Sequence, residues 1–329
     1  MRVLVMRISA MGDVAMCAPV LSAACKRYPD VQFDVLTTTF YIPFFEELPN
    51  LKVIGTDIRK EKSGFKGLCR LHRELTTNAK YDKVIDLHDV LRTKVLRMLF
   101  SFSGVPVVRI DKGRRDKKRL TAESGKVFKP LRSTIERYAE AFAKAGLPLN
   151  VDVVQDKKPM PEQFAVSGRR LVGVAPFAQH AGKIYPIEKT REVVEKLNAK
   201  GDIAIYIFGG GATEKAVAEE WEAEFENVTS VIGKVKLSDE LAIISNLDCM
   251  LSMDSSAMHM ASLYGVRVVS VWGATHPYAG FMGYGQDDKM AVQLDMACRP
   301  CSIYGNKPCK YGDYRCMNID PQVIVDRIN

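Results

Sequence analysis

Two carboxylates in this chain stand where an acid could do chemistry. Asp13 closes Arg7-Ile8-Ser9-Ala10-Met11-Gly12-Asp13, and Asp254 opens Asp254-Ser255-Ser256-Ala257-Met258-His259. Each stretch follows an apolar run that reads as a buried strand and leads into a segment of helical pattern. Asp13 at the helix start has two readings. It can cap the helix by accepting a hydrogen bond from an unpaired N–H. It can also serve as a general base at the carboxyl edge of a sheet, where α/β proteins bind ligands. The stretch at Asp254 likewise reads as an ordinary capped helix or as a phosphate site. Unpaired N–H groups at the positive end of a helix dipole bind phosphate, and the small side chains of Ser255, Ser256 and Ala257 let a diphosphate approach.

Other polar residues join these two. Lys183 follows a strand pattern in a loop and precedes Tyr185-Pro186. A lone cation in a loop is ordinarily just solvated. Glu214 follows Gly209-Gly210-Gly211-Ala212-Thr213 at a helix start, a place the dipole favours for any carboxylate. Those glycines lack the Gly-x-Gly-x-x-Gly spacing of a dinucleotide fold, which argues against a dehydrogenase. His259 and His276 show neither triad nor metal-ligand spacing and read as residues that structure the site, so no catalytic metal is expected.

These residues need elements to position them. The first strand reads over 2–8, with its turn at Gly12 and a helix over 14–28. Strand patterns follow at 32–37, 51–54, 84–87 and 105–110. Helical patterns lie at 40–47, 66–78, 89–100 and 134–146. The pattern fades over 147–168. It then resumes with strands at 171–175, 204–208, 228–232, 249–252 and 268–272, and helices at 187–200, 214–225, 238–245 (Ser238 as cap), 256–264 and 321–328. Alternation of this kind means parallel sheets with helices on both faces. The division expected is a Rossmann-like domain over 1–150, a linker over 151–168, a second Rossmann-like domain over 169–318, and a final helix over 319–329 able to cross back to the first.

Length and composition allow this. The 329 residues suffice for two domains with real cores, and 47% hydrophobic with 26% charged residues is the balance of a folded globular chain. No apolar run approaches the ~18 residues of a membrane span. The N-terminus shows no signal-peptide pattern, so a cytoplasmic location with reduced thiols is expected. Net charge is +8, split as +11 over 1–165 (30 basic, 19 acidic) and −3 over 166–329 (17 basic, 20 acidic). A basic first half points to an anionic partner. Arg59 and Lys60 lie in one basic run, Arg114 and Arg115 in another. Either run can be plain solvated surface, or it can meet a phosphorylated or membrane-bound acceptor. Nucleic acid is not expected, because no aromatics interleave these charges and no nucleic-acid-binding signature is present.

Cys298, Cys301, Cys309 and Cys316 crowd near the C-terminus. Cys298-Arg299-Pro300-Cys301 has the spacing of half a zinc knuckle, and four thiols would complete a structural zinc site. Free thiols are the other reading.

The opening, followed by Pro19 and Val20, resembles that of glycosyltransferase family 9, the lipopolysaccharide heptosyltransferases, with Met11 in place of the usual Leu. Asp254 to His259, then Gly273-Ala274-Thr275-His276-Pro277, resemble the family's Asp-Ser/Thr-Gly-x-x-His and Gly-x-Thr-x-Pro elements, with Ser256 where Gly is usual. The resemblance is firmest over 1–28 and 232–277 and weakest over 50–165. It implies a GT-B architecture, two doubly wound domains facing across a cleft. It also implies an inverting glycosyltransferase with Asp13 as base, Lys183 on the donor diphosphate, Glu214 on the ribose, and Asp254, Ser255, Ser256, Ala257 and His259 around the donor. The sugar expected is a heptose from ADP-heptose. The acceptor expected is an anionic, lipid-linked inner-core saccharide, reached by peripheral contact at the inner face of the inner membrane, with Arg59, Lys60, Arg114 and Arg115 facing it. Two alternatives stand beside this: a nucleotide-sugar epimerase of similar fold, and a non-catalytic nucleotide-sugar-binding protein.

Overall fold

The computed structural model describes residues 1–58, 62 and 64–329. The chain forms two compact units. One comprises Met1–Lys112 with Thr134–Val153, the other Gly113–Ser133 with Val154–Asn329.

The first unit is built on β1 (Arg2–Met6), which runs into α1 (Met11–Arg27). Next come β2 (Gln32–Thr37), β3 (Leu51–Gly55), α2 (Gly64–Asn78), β4 (Lys83–Asp86), α3 (Leu91–Phe102) and β5 (Val107–Arg109). The sheet order is β3-β2-β1-β4-β5 and every pairing is parallel. β1 is central, so both of its faces are covered; this is why Val3, Leu4, Val5 and Met6 are all apolar and fully buried. On one face, Leu68, Leu71 and Leu75 of α2 bury against Leu4, Met6, Val84 and Phe100. Spacings of three and four residues put those leucines on one stripe, as the sequence pattern requires.

Several boundaries differ from the sequence reading. α1 starts at Met11 rather than at residue 14, because Ala10 is the extended residue at the entry (φ −84°, ψ 178°) and Gly12 already lies in the helix. The helix expected over 40–47 is a short 3-10 turn over Thr39–Phe44, and Pro43 inside it has no N–H to carry a longer helix. Arg59 and Lys60 lie outside the described residues.

The basic run after β5 forms α4 (Arg114–Leu120), and α5 (Thr134–Lys144) follows. α5 returns to the first unit and packs on α1. The segment between them does not. Leu131 N donates to Tyr278 O at 2.9 Å, and Phe128 packs on His276 and Tyr278 with ring centroids 5.0 and 4.9 Å apart. Lys126 Nζ sits among the carbonyl oxygens of Ala297, Cys298, Arg299 and Pro300 at 3.0–3.3 Å. Arg114 and Arg115 are therefore exposed residues of the second unit, not part of the first domain's basic surface. Gly280 lets the strap approach. Its φ is +80°, and a Cβ there would lie 2.3 Å from Arg132 O. Gly280→Ala should therefore destabilise the second unit by about 1–3 kcal/mol, from backbone strain plus a steric clash. Urea unfolding measures this, and an unchanged midpoint would dismiss the tight approach.

The second unit continues with β6 (Arg170–Ala175), α6 (Ile187–Asn198), β7 (Ile203–Ile207), α7 (Ala212–Glu224) and β8 (Val228–Ser230). After these come α8 (Leu237–Ser245), β9 (Cys249–Met253), α9 (Ser256–Leu263), β10 (Arg267–Val271), β11 (Ala291–Val292) and α10 (Pro321–Ile328). Its sheet order is β11-β10-β9-β6-β7-β8, again parallel throughout. The residue entering α8 is Lys236, and Ser238 lies inside the helix rather than capping it.

Part of the segment expected as a linker belongs to this unit. Gln155 N donates to Leu263 O at 2.8 Å, and Lys158 N to Ser245 Oγ at 3.0 Å. The final helix also stays here. Ile324, Val325 and Ile328 join the second core, and α10 packs on α6. Its last carbonyls accept from Arg170 (Ile328 O, 2.8 Å) and Arg267 (Arg327 O, 2.9 Å), two guanidinium groups at the negative end of the helix.

Candidate functional site

In the first unit, Asp13 is the third residue of α1. It is not the cap, since Ala10 fills that position with no side-chain hydrogen bond. Its carboxylate instead forms an ion pair with Arg7, through Oδ2 and Nη2. Arg7 leaves the end of β1 and is 4% exposed. Its Nη1 donates to Leu87 O at 2.8 Å, and its guanidinium lies over the Tyr138 ring 5.8 Å from the centroid. Tyr138 OH in turn donates to Asp13 O at 3.2 Å. A charge this buried needs a partner, and Asp13 is that partner. The Asp13 side chain is still 32% exposed, so an incoming hydroxyl can reach it. Arg7 thus fixes the direction of a carboxylate that stays partly open to solvent. Sequence reasoning did not assign Arg7 a role, yet a signal was present: a lone Arg in an otherwise apolar strand run is rarely buried without one.

In the second unit, three loops converge at the carboxyl edge of the sheet. After β6, a 3-10 turn over Ala181–Lys183 presents Lys183. After β9, Asp254 and Ser255 lead into α9. After β10 comes Gly273-Ala274-Thr275. Lys183 Nζ lies 2.9 Å from Asp254 Oδ2, and Asp254 is 3% exposed. That oxygen has no aligned hydrogen bond, so the contact is an electrostatic pairing that leaves ammonium hydrogens to point elsewhere. Ala274 N donates to Gly182 O at 2.8 Å, tying two of the loops together. The Lys183 stem passes so close to Gly305 that a Cβ there would lie 2.6 Å from Lys183 Cγ.

Ser255 is the extended residue before α9, so the N–H groups of the first turn, at Ser256, Ala257 and Met258, have no partner within the helix. Its Oγ lies 3.1 Å from Ser252 Oγ. His259, one turn further on, is buried. Glu214 lies in the first turn of α7, and its Oε2 accepts from Gly210 N at 2.6 Å, closing the glycine loop after β7. Lys183, Asp254, Ser255, Ser256, Ala257 and His259 thus gather around the start of α9, and Glu214 stands at the same carboxyl edge on the next strand outward.

Among the described residues, no three or more His, Cys, Asp or Glu side chains are placed to hold a metal. Cys316 packs in the hydrophobic core, and Cys301 Sγ turns to Ala274 O at 3.8 Å. Arg299, 4% exposed, donates to Trp272 O at 3.0 Å, Thr275 O at 2.9 Å and Gln293 Oε1 at 3.0 Å, and also to Gly273 O and Leu294 O. It pins the loop after β10 by its carbonyls, which an apolar residue could not do.

The sequence model of glycosyltransferase family 9 (heptosyltransferase) matches residues 68–312. The chain belongs to glycosyltransferase family 9. The family 9 match spans most of the second unit and stops short of Asp13, but similarity to known enzymes extends further. The lipooligosaccharide heptosyltransferase 2 of Campylobacter jejuni is 24% identical, over 97% of this chain and 95% of its own length. A family 9 glycosyltransferase from Veillonella parvula superposes with a TM-score of 0.77 at 18% identity, covering 99% of this chain and 96% of that one. An Escherichia coli heptosyltransferase solved with ADP-2-deoxy-2-fluoro heptose superposes with a TM-score of 0.68 at 22% identity, covering 99% of both. The two Rossmann-like units are thus those of the GT-B fold, and the family 9 chain is a glycosyltransferase.

His276, in the family's Gly-x-Thr-x-Pro loop, is a structural residue with a pH signature. Burial pulls its pKa down to about 4, with Arg299 and Lys126 adding to the effect and Asp295 opposing it. Its neutral Nδ1 accepts from Tyr278 N at 3.1 Å. The unfolded imidazole takes up its proton near pH ~6.5, so the unfolded state binds more protons below that pH. This share of the stability is intact above about pH 6.5 and is lost as pH falls towards about 4. The midpoint of urea unfolding should drop through that window, and His276→Asn should reduce the slope. An identical slope in the variant would show that this ring is not responsible.

Proposed function

We propose that this enzyme transfers a heptose from ADP-heptose, with inversion, to the inner core of a lipopolysaccharide. The observation that carries the reading is the Arg7–Asp13 pair, a held yet exposed carboxylate at the carboxyl edge of the first sheet. Its counterpart in the second unit is Lys183 beside the start of α9. Asp13 takes the proton of an acceptor hydroxyl. That oxygen bonds to the anomeric carbon from the face opposite the diphosphate, and the bond from that carbon to the diphosphate oxygen breaks, its electron pair leaving with ADP. Lys183 and the N–H groups of Ser256 and Ala257 meet the charge that grows on the leaving group. Glu214 accepts from the donor ribose, and Asp254 holds Lys183 in place. Arg59, Lys60, Arg114 and Arg115, the basic residues of the two runs, are the groups assigned to the anionic acceptor. No helix among the described residues is long and apolar enough to cross a membrane. The lipid-linked acceptor is accordingly met by peripheral contact at the cytoplasmic face of the inner membrane.

Support for the sugar and acceptor comes from the names of the relatives, lipooligosaccharide and lipopolysaccharide heptosyltransferases among them. Membership of a transferase family weighs against an epimerase or a non-catalytic binder. Incubating the protein with ADP-heptose and a lipopolysaccharide that lacks heptose should release ADP only when both are present and add one heptose to the product by mass. Release of nucleotide without acceptor, or no release at all, would end this reading.

A further inference from the structure

α3 is apolar on two opposite sides. Thr93, Leu96 and Phe100 share one side of the helix, and that side is buried. Leu91, Met98 and Phe102 share the opposite side, and they are 78%, 43% and 81% exposed. Val95 lies between them, half-buried. The first stripe is what a helix covering a sheet needs. The second is not, because the outward side of such a helix is ordinarily polar. Apolar residues scattered singly on a surface are ordinary, whereas a stripe of them along about 16 Å of helix marks a surface that something covers.

The charges beside the stripe identify what covers it. α3 carries Arg92, Lys94 and Arg97 and no acid. Arg97 turns inward to Asp86 and Asp89, at 3.1 and 3.2 Å. Arg92 and Lys94 are exposed and flank the stripe on its two sides. α2 packs beside α3, and its His72 ring meets that of Phe100 with centroids 4.7 Å apart. α2 adds Phe65, 58% exposed, and the exposed cations Lys66, Arg70 and Arg73. The acid on these two helices, Glu74, is paired with Lys62. Apolar side chains with cations at their margins suit a helix lying in the headgroup layer of a membrane. Its apolar side meets the upper acyl chains, and its Lys and Arg meet lipid phosphates. A second copy of this chain fits badly, since a two-fold contact would set these cations against their own images.

The place of α3 in the fold suits the same partner. α3 follows β4, and β4 pairs with β1. Leu87 O, in the segment that leads into α3, accepts from Arg7 Nη1 at 2.8 Å. The stripe therefore begins at the same carboxyl edge as Asp13.

We propose that α3 is the membrane-docking element of this protein, with Leu91, Met98 and Phe102 among the lipids of an anionic bilayer and Arg92 and Lys94 on its headgroups. An acceptor anchored in that bilayer is then concentrated at the edge where Asp13 stands. This last consequence rests on the acceptor reading given above; the docking itself does not.

The probes are vesicles of phosphatidylcholine with about one-quarter phosphatidylglycerol, and vesicles of phosphatidylcholine alone. Wild type should co-sediment with the anionic vesicles at least about tenfold more strongly than with the neutral ones, and lose that advantage in about 0.5 M salt. Leu91→Gln, Met98→Gln and Phe102→Gln combined should weaken binding to the anionic vesicles at least about tenfold, and so should Arg92→Gln with Lys94→Gln. Phe102→Trp keeps the apolar surface and guards against a fold defect. Trp221 and Trp272 are buried, so a blue shift of emission on adding anionic vesicles reports position 102. The triple variant should keep the wild-type transfer rate on a deacylated, water-soluble acceptor and lose at least about fivefold on acceptor embedded in the vesicles. No binding of wild type to anionic vesicles, equal binding by wild type and the triple variant, or no emission shift in Phe102→Trp overturns the proposal. A wild-type dimer that the triple variant turns into a monomer also overturns it, since the stripe is then a subunit contact. Vesicle binding that the triple variant loses, in a wild type that transfers no heptose, would sustain the docking and count against the proposed activity instead.

Discussion

Asp13→Asn should slow sugar transfer by about 10²–10⁴-fold while ADP binding stays as in wild type. The amide matches the carboxylate in shape, so the loss would be one of proton acceptance rather than of packing. Arg7, 4% exposed, would lose its charged partner and keep only its bond to Leu87 O and its stacking on Tyr138. Some loss of stability in the first unit is therefore expected as well, since breaking a buried pair leaves a charge uncompensated. Two measurements separate the effects: single-turnover rate at saturating substrates, and urea unfolding. Turnover within threefold of wild type would return Asp13 to a purely structural part beside Arg7, in line with the roughly 0.7 kcal/mol such a ratio represents.

The second large effect is expected at Lys183. Lys183→Ala should weaken ADP binding and cut turnover by about 10²–10³-fold, the scale for removing one preorganised group from developing charge. The variant has a confounding consequence. Asp254, 3% exposed, would be left as a buried carboxylate without its cation, which costs about 3–5 kcal/mol. The double variant Lys183→Ala with Asp254→Asn removes both charges. It should regain most of the stability and none of the rate. If the double variant recovers turnover together with stability, Lys183 acts only by neutralising Asp254, and the leaving-group assignment fails.

Around these two residues, structure shows how a conserved kind of fold is used for placement. The donor-side loops are held by groups remote in sequence. Arg299 pins the loop after β10, Gly305 lies under the Lys183 stem, and Lys126 anchors the strap by a row of carbonyls. Each fixes a backbone that must hold still while charge moves, and preorganisation of that kind is where a large part of such catalysis resides.

The sequence by itself determined a good deal. Apolar runs broken by turns disclosed both parallel sheets and the order of strands and helices, because a strand buried on two faces must be apolar throughout. The leucine stripe of α2 and the Pro-started final helix were legible for equally local reasons. The placement of Asp13, Lys183, Glu214 and Asp254 just after strands was legible from the strand pattern, while the roles expected of Lys183 and Glu214 came from the resemblance to family 9. Only the tertiary structure decided the rest. It showed that Asp13 pairs with Arg7 instead of capping α1, and that Lys183 meets Asp254, 71 positions further along the chain. It assigned residues 113–133 and the final helix to the second unit, and it set Arg299 against the carbonyls of the loop after β10. The physical reason is common to all four. Periodicity and capping are set by neighbours a few residues away, whereas the partner of a buried charge, or the surface that covers an aromatic patch, is chosen by packing between segments far apart in sequence.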